Sequence, residues 1–132
     1  MPLHHDTLER FISEVRPYLA RVAGEGRTIT YKELQIEFHL PRQQTGEIVG
    51  KISEMEFSED RPLLSAIVVR KDTRLPGVGF FGLPVGIPQE LGWQSQEPSP
   101  SSQKKARREA FARREQVRVF NFWRQNRDVS SL

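Results

Sequence analysis

The stretch Pro62-Leu63-Leu64-Ser65-Ala66-Ile67-Val68-Val69 carries no charge and a single hydroxyl, so it belongs in a core rather than on a surface. Its β-branched end, bounded by Arg70, predicts a buried strand. Asp72 to Gly77 then reads as a turn and Val78 to Leu83 as the returning strand of a hairpin, with glycines that let the chain bend before Phe80 and Phe81 re-enter the core. Whatever precedes this hairpin must supply the surface on which it packs.

What precedes it is helical. Leu8, Phe11, Ile12, Val15, Leu19 and Val22 form one stripe at helical spacing. Asp6 or Thr7 is placed to cap its start, Pro17 predicts a kink or a restart, and Gly24 with Gly26 predicts its end. Thr28 to Thr30 is a short extended piece. Thr30 is predicted to cap a helix beginning at Tyr31, with Glu33 completing a capping box, Leu34, Ile36 and Phe38 as its buried side and Pro41 as its stop. A third helix starts near Pro41 and carries Ile48, Val49, Ile52 and Met55 on one face. The other face shows Arg42, Gln43, Gln44, Thr45, Glu47 and Lys51. Helix, helix, helix, hairpin predicts an α+β fold of the winged helix-turn-helix type, followed by a C-terminal basic helix.

The chain of 132 residues has room for one compact domain and an appendage. Residues 1–83 are read as the winged-helix domain and 84–102 as a Pro/Ser/Gly-rich linker from which Leu91 and Trp93 can pack back. Residues 103–127 are read as a helical tail with Ala106, Ala110, Val117, Phe120 and Trp123 roughly in line. The net charge of +3 is mild, yet Lys104, Lys105, Arg107, Arg108, Arg113, Arg114, Arg118, Arg124 and Arg127 crowd that tail. No cysteine is present, which excludes disulfides, thiolate metal sites and cysteine nucleophiles. Met1 to Asp6 is polar and no apolar run approaches about 20 residues, so neither a signal peptide nor a membrane span is expected and a cytoplasmic location is. His4, His5 and His39 lack ligand partners at metal spacing, and Glu54, Glu56, Glu59 and Asp60 read as a solvated loop rather than a nuclease centre. No metal, cofactor or catalytic constellation is expected.

In a winged helix the Pro41 to Met55 segment lies in the major groove. Gln43 and Gln44 are then suited to adenine edges, Arg42 to guanine or phosphate, and Thr45 and Lys51 share their face. Thr28, Thr30 and Tyr31 offer hydroxyls to the backbone, Arg70, Lys71 and Arg74 form the wing, and Lys104, Lys105, Arg107 and Arg108 add phosphate contacts. Duplex DNA is the expected partner. The other reading is a protein-protein module, an adaptor, immunity or antidefence protein, with Phe120, Phe122 and Trp123 available for docking or self-association.

T-I-T-Y-K-E-L at Thr28 to Leu34, a Pro-containing turn, a Gly-bearing third helix and S-A-I-V-V-R-K-D-T-R-L-P-G-V-G-F at Ser65 to Phe80 resemble the DNA-binding domain of the alkylguanine-DNA alkyltransferases and alkyltransferase-like proteins. The likeness covers about Arg27 to Phe81 and rests on Thr30-Tyr31 and on Val68-Val69-Arg70 with Asp72, Leu75 and Gly77. The resemblance implies a winged-helix DNA-binding scaffold, and the expected role is that of a regulator or a reader of modified or damaged DNA. Where the family has Pro-Cys-His-Arg, this chain has Leu64, Ser65, Ala66 and Ile67, so the alkyl-accepting thiolate and its histidine are missing and alkyl transfer is not expected. The family's base-flipping arginine is not matched either: Thr45 or Gly46 falls at its place, with Arg42 nearby.

Overall fold

A computed structural model describes residues 4–93 and 97–126. The fold is mixed α+β and mostly helical. Helix α1 (His5–Gly24) leads to strand β1 (Ile29–Thr30), helices α2 (Tyr31–Phe38) and α3 (Thr45–Ser58), strand β2 (Val68–Val69) and helix α4 (Ser102–Gln125). The strands pair in parallel, Ile29 beside Val68 and Thr30 beside Val69, and α2 with α3 supplies the crossover that parallel pairing demands.

Local chemistry accounts for the helix ends. The capping box forms as expected: the Glu33 N–H donates to Thr30 Oγ1 at 3.1 Å and the Thr30 N–H donates to the Glu33 carboxylate at 3.1 Å. Helix α2 stops at His39, which takes a left-handed φ of 55° before Leu40 and Pro41. Helix α1 departs from expectation at two points. Its cap is His4, whose imidazole accepts from the Asp6 N–H, and it does not restart at Pro17 but continues to Gly24. Phe11 and Val15 before the proline and Leu19 and Val22 after it are all buried, so packing holds the helix across its missing hydrogen bond.

Ile36 is not on the buried side of α2. It is 66% exposed, whereas Leu34 is fully enclosed. Residues two apart lie on opposite sides of a helix, so both could not face inward.

The two expected hairpin strands are absent as such. Leu64–Ile67 is a 3-10 turn that reaches extended geometry only at β2, and Val78–Gly82 is a second 3-10 turn in which the Phe80 N–H donates to Gly77 O at 3.0 Å. Gly79 and Gly82 weaken strand geometry in the second segment. In the first, the backbone finds side-chain partners in place of a ladder. The Leu63 N–H donates to Glu115 at 2.8 Å, the Ser65 N–H donates to Ser53 Oγ at 2.9 Å, and Ala66 O accepts from Gln116 at 3.0 Å.

Helix α4 packs along α1 and the 64–67 turn, and its buried face is not the predicted one. Arg108, Ala112, Glu115, Gln116, Val119 and Trp123 point inward, while Ala106 and Ala110 are exposed and Val117 is 54% exposed. Trp123 is 0% exposed, with the Arg16 guanidinium 5.7 Å over its ring, so it is core and not a docking surface; Phe120 and Phe122 are partly buried against that core. The linker also packs: Leu91 is buried and the Trp93 N–H donates to Phe81 O at 2.9 Å. Arg127, at the end of the expected tail, lies outside the described residues. Glu56, wholly buried, is clasped by Arg16 at 2.5 Å and by Arg61, which joins α1, α3 and the chain entering the core. Among the described residues, no helix is long and apolar enough to cross a membrane.

Gln116→Leu preserves most of the volume but leaves two carbonyls without their donor; a loss of about 1–3 kcal/mol in chemical denaturation is expected. Trp123→Ala should cost about 3–5 kcal/mol in the same assay, with Ala110→Ser on the exposed side nearly neutral.

Candidate nucleic-acid interface

Because β1 and β2 run parallel, the chain leaves both at the same end. Thr30 opens into α2, and Val69 opens into the turn that follows. In parallel sheets the crevice beyond the carboxyl ends of the strands is where ligands collect. Here the two exits diverge and leave a cleft of about 1130 Å³. One wall is the first turns of α2, with Tyr31, Lys32, Glu33, Gln35 and Ile36; the other is Val69, Arg70, Lys71, Asp72 and Arg74, with Arg42 reaching in from the turn before α3.

The second wall is shaped by its own hydrogen bonds. The Arg70 N–H donates to Leu75 O at 2.9 Å and the Arg74 N–H to Arg70 O at 2.9 Å, closing a tight loop in which Arg74 takes a φ of 58°. The Arg70 guanidinium is committed to Asp72, at 3.0 and 3.2 Å, and Asp72 also accepts from the Thr73 N–H at 2.9 Å. Gln116 of α4 braces the loop from below by donating to Arg74 O at 3.3 Å. The walls are tied together at Tyr31, whose hydroxyl accepts from the Gly77 N–H at 2.8 Å.

Lys32, Arg42, Lys71 and Arg74 are exposed and make no salt bridge among the described residues. Glu33, the carboxylate in their midst, is held below its ordinary 4.5 first by the Thr30 N–H and then by the Thr30 hydroxyl, with Arg74 and Arg27 adding to the effect. Burial pushes the Tyr31 hydroxyl above its ordinary 10.0, against the opposing pull of the Gly77 N–H and Arg70.

Of the residues expected from sequence to meet DNA, the structure gathers Thr30, Tyr31, Arg42, Arg70, Lys71 and Arg74 at this cleft. Gln43 is exposed and Gln44 half-buried on the turn beside Arg42. The others are elsewhere. Thr45 is buried and its hydroxyl donates to Pro41 O at 2.9 Å, serving the helix start. Lys51 faces a groove between α1 and α3, beside Glu54 at 3.7 Å. Arg108 is only 7% exposed, donating to Leu91 O at 2.9 Å, Gly92 O at 3.0 Å and Glu97 at 3.1 Å, because its fork of donors serves two backbone carbonyls and a carboxylate at once. Lys104 pairs with the same Glu97, whereas Lys105 and Arg107 are exposed on α4. The sequence singles out neither Lys32 nor Gln35, and it places Ile36 on the buried side of α2 rather than at a site. Their signal is the helical period, which puts 32 and 36 on one side once Leu34 is taken as the buried residue.

Ser65 lines a small cavity of about 130 Å³ with Tyr31, Gly46, Val49 and Phe80. Its hydroxyl neighbour is Ser53 Oγ at 2.5 Å, which is no general base for activating a nucleophile. Among the described residues, no group of three His, Cys, Asp or Glu side chains is arranged to hold a metal ion. Comparison with known proteins returns no match among family models, curated proteins or solved structures.

Tyr31→Phe leaves the Gly77 N–H without its acceptor, and a loss of about 1–2 kcal/mol in denaturant melts is expected. The raised Tyr31 pKa sets the sign of the pH effect. Below 10.0 the hydroxyl is protonated in both states; above it the unfolded chain ionises first, so stability falls as pH rises through the folded value. Stability measured from neutral pH upward past 10.0 should fall less steeply in Tyr31→Phe than in wild type.

Proposed function

We propose that this chain is a non-catalytic, cytoplasmic duplex-DNA-binding protein, a regulator or a reader of modified or damaged DNA, built on a winged-helix scaffold of the alkyltransferase-like kind. The observation that carries the reading is the set of cations lining one cleft without salt bridges: Lys32, Arg42, Lys71 and Arg74. Cations free of salt bridges on a concave surface suit a polyanion, since each neutralised phosphate releases counterions. In this reading the Arg70 to Arg74 loop takes the place of the wing and braces against the backbone. Arg42 and Gln43, at the start of the α3 region, approach base edges. Lys105 and Arg107 extend the positive surface along α4. Ser65 takes no chemical part.

A second reading is favoured by Ile36, a large apolar side chain 66% exposed inside the same cleft. A protein partner presenting acidic and apolar residues together would use both its cations and Ile36.

Fluorescence anisotropy with short plain and base-modified duplexes at two salt concentrations separates the two. For about four phosphate contacts, affinity should fall by about a hundredfold between about 50 and 200 mM salt. Lys71→Ala and Arg42→Ala should each lower the salt slope by about 1. No binding at low salt would overturn the DNA reading, and an Ile36-dependent protein contact with shallow salt dependence would establish its rival.

A further inference from the structure

A second surface, which shares no residue with the cleft, is apolar at its centre and oppositely charged at its ends. Phe57, near the end of α3, is 46% exposed. It lies against Gly86, where a Cβ would sit 3.2 Å from the Phe57 ring and 3.0 Å from Leu63; Gly86 also has a φ of +80°, so glycine meets both needs there. Leu63 in turn is held by Glu115 of α4. Glu115 borders an apolar groove of about 660 Å³ whose lining includes Pro88, Phe111, Arg114, Val117 and Arg118. Gly86 lies two residues before Pro88, which lines the groove, so the chain from Gly86 to Pro88 leads from the Phe57 contact to the groove of Phe111 and the exposed Val117.

The charges at the two ends are complementary. At the Phe57 end, Glu59 and Asp60 are exposed and make no salt bridge among the described residues; at the α4 end, Arg114 is likewise exposed and makes none. An apolar strip with an acidic and a basic end is complementary to its own copy turned through a two-fold axis, because the rotation lays each acidic end on a basic one. We infer that this face is a homodimer interface, with Phe57 of one protomer seated in the Phe111–Val117 groove of its partner and Asp60 meeting the partner's Arg114.

Light scattering behind size exclusion tests the inference on the full chain. At about 100 μM, where a micromolar contact is mostly formed, the expected mass is twice 15.3 kDa. Phe57→Asp and Val117→Asp alter exposed positions, so circular dichroism should be unchanged while self-association weakens by about thirtyfold or more. The charge exchange is more discriminating. Arg114→Asp and Asp60→Arg should each be monomeric alone and dimeric when mixed, since both charge contacts of the mixed pair are then restored. A wild-type monomer at that concentration, a dimer indifferent to Val117→Asp, or a mass that keeps growing past two as in a head-to-tail chain would each overturn it.

Discussion

The backbone from Leu63 to Val69 is buried at every residue, yet only its last two residues belong to a sheet. Buried N–H and C=O groups cannot go unpaired, so an irregular segment at the centre of a core needs partners that secondary structure does not supply. Side chains supply them: Glu115 and Gln116 from α4 and Ser53 from α3. This requirement places the C-terminal helix. Its inward face is polar where it crosses the irregular backbone and apolar, at Val119 and Trp123, where it crosses α1 and the core.

The candidate site inherits that arrangement. Gln116 of α4 holds the chain on either side of β2, at Ala66 O and Arg74 O, and β1 pairs with β2 in parallel, so α2 and the Arg70 to Leu75 loop leave the pair side by side. Their separation is set by Tyr31, which spans from one wall to Gly77 behind the other. The backbone positions that carry the cations of the two walls are thereby set relative to one another. Arg70 is the exception, being held by Asp72 to shape the loop.

Signals that act within one or two turns were legible from residues alone. The Thr30–Glu33 capping box, the stop before Pro41, the end of α1 at Gly24 and the cationic turn after Val69 depend on neighbours in the chain. The face of α4 was not legible. Arg108, Glu115 and Gln116 look like solvated residues in any periodicity count, and the carbonyls and N–H groups that draw them inward lie 16 or more residues away in sequence. The hairpin was misread for a related reason: a run such as Leu63 to Val69 announces burial, not the geometry in which it is buried.

The sequence by itself determined which segments are apolar enough to be core, where α2 starts, where α1 and α2 stop, and that positive charge gathers after Val69 and beyond Gln103, because composition and capping are local properties. Only the tertiary structure decided that Lys32 and Arg42 join the Arg70 to Arg74 loop around one cleft, that Arg108 and Trp123 are interior, and that Phe57 lies beside Gly86. Those outcomes depend on which distant backbone groups lacked partners and which side chains could reach them, and a one-dimensional pattern does not carry that information.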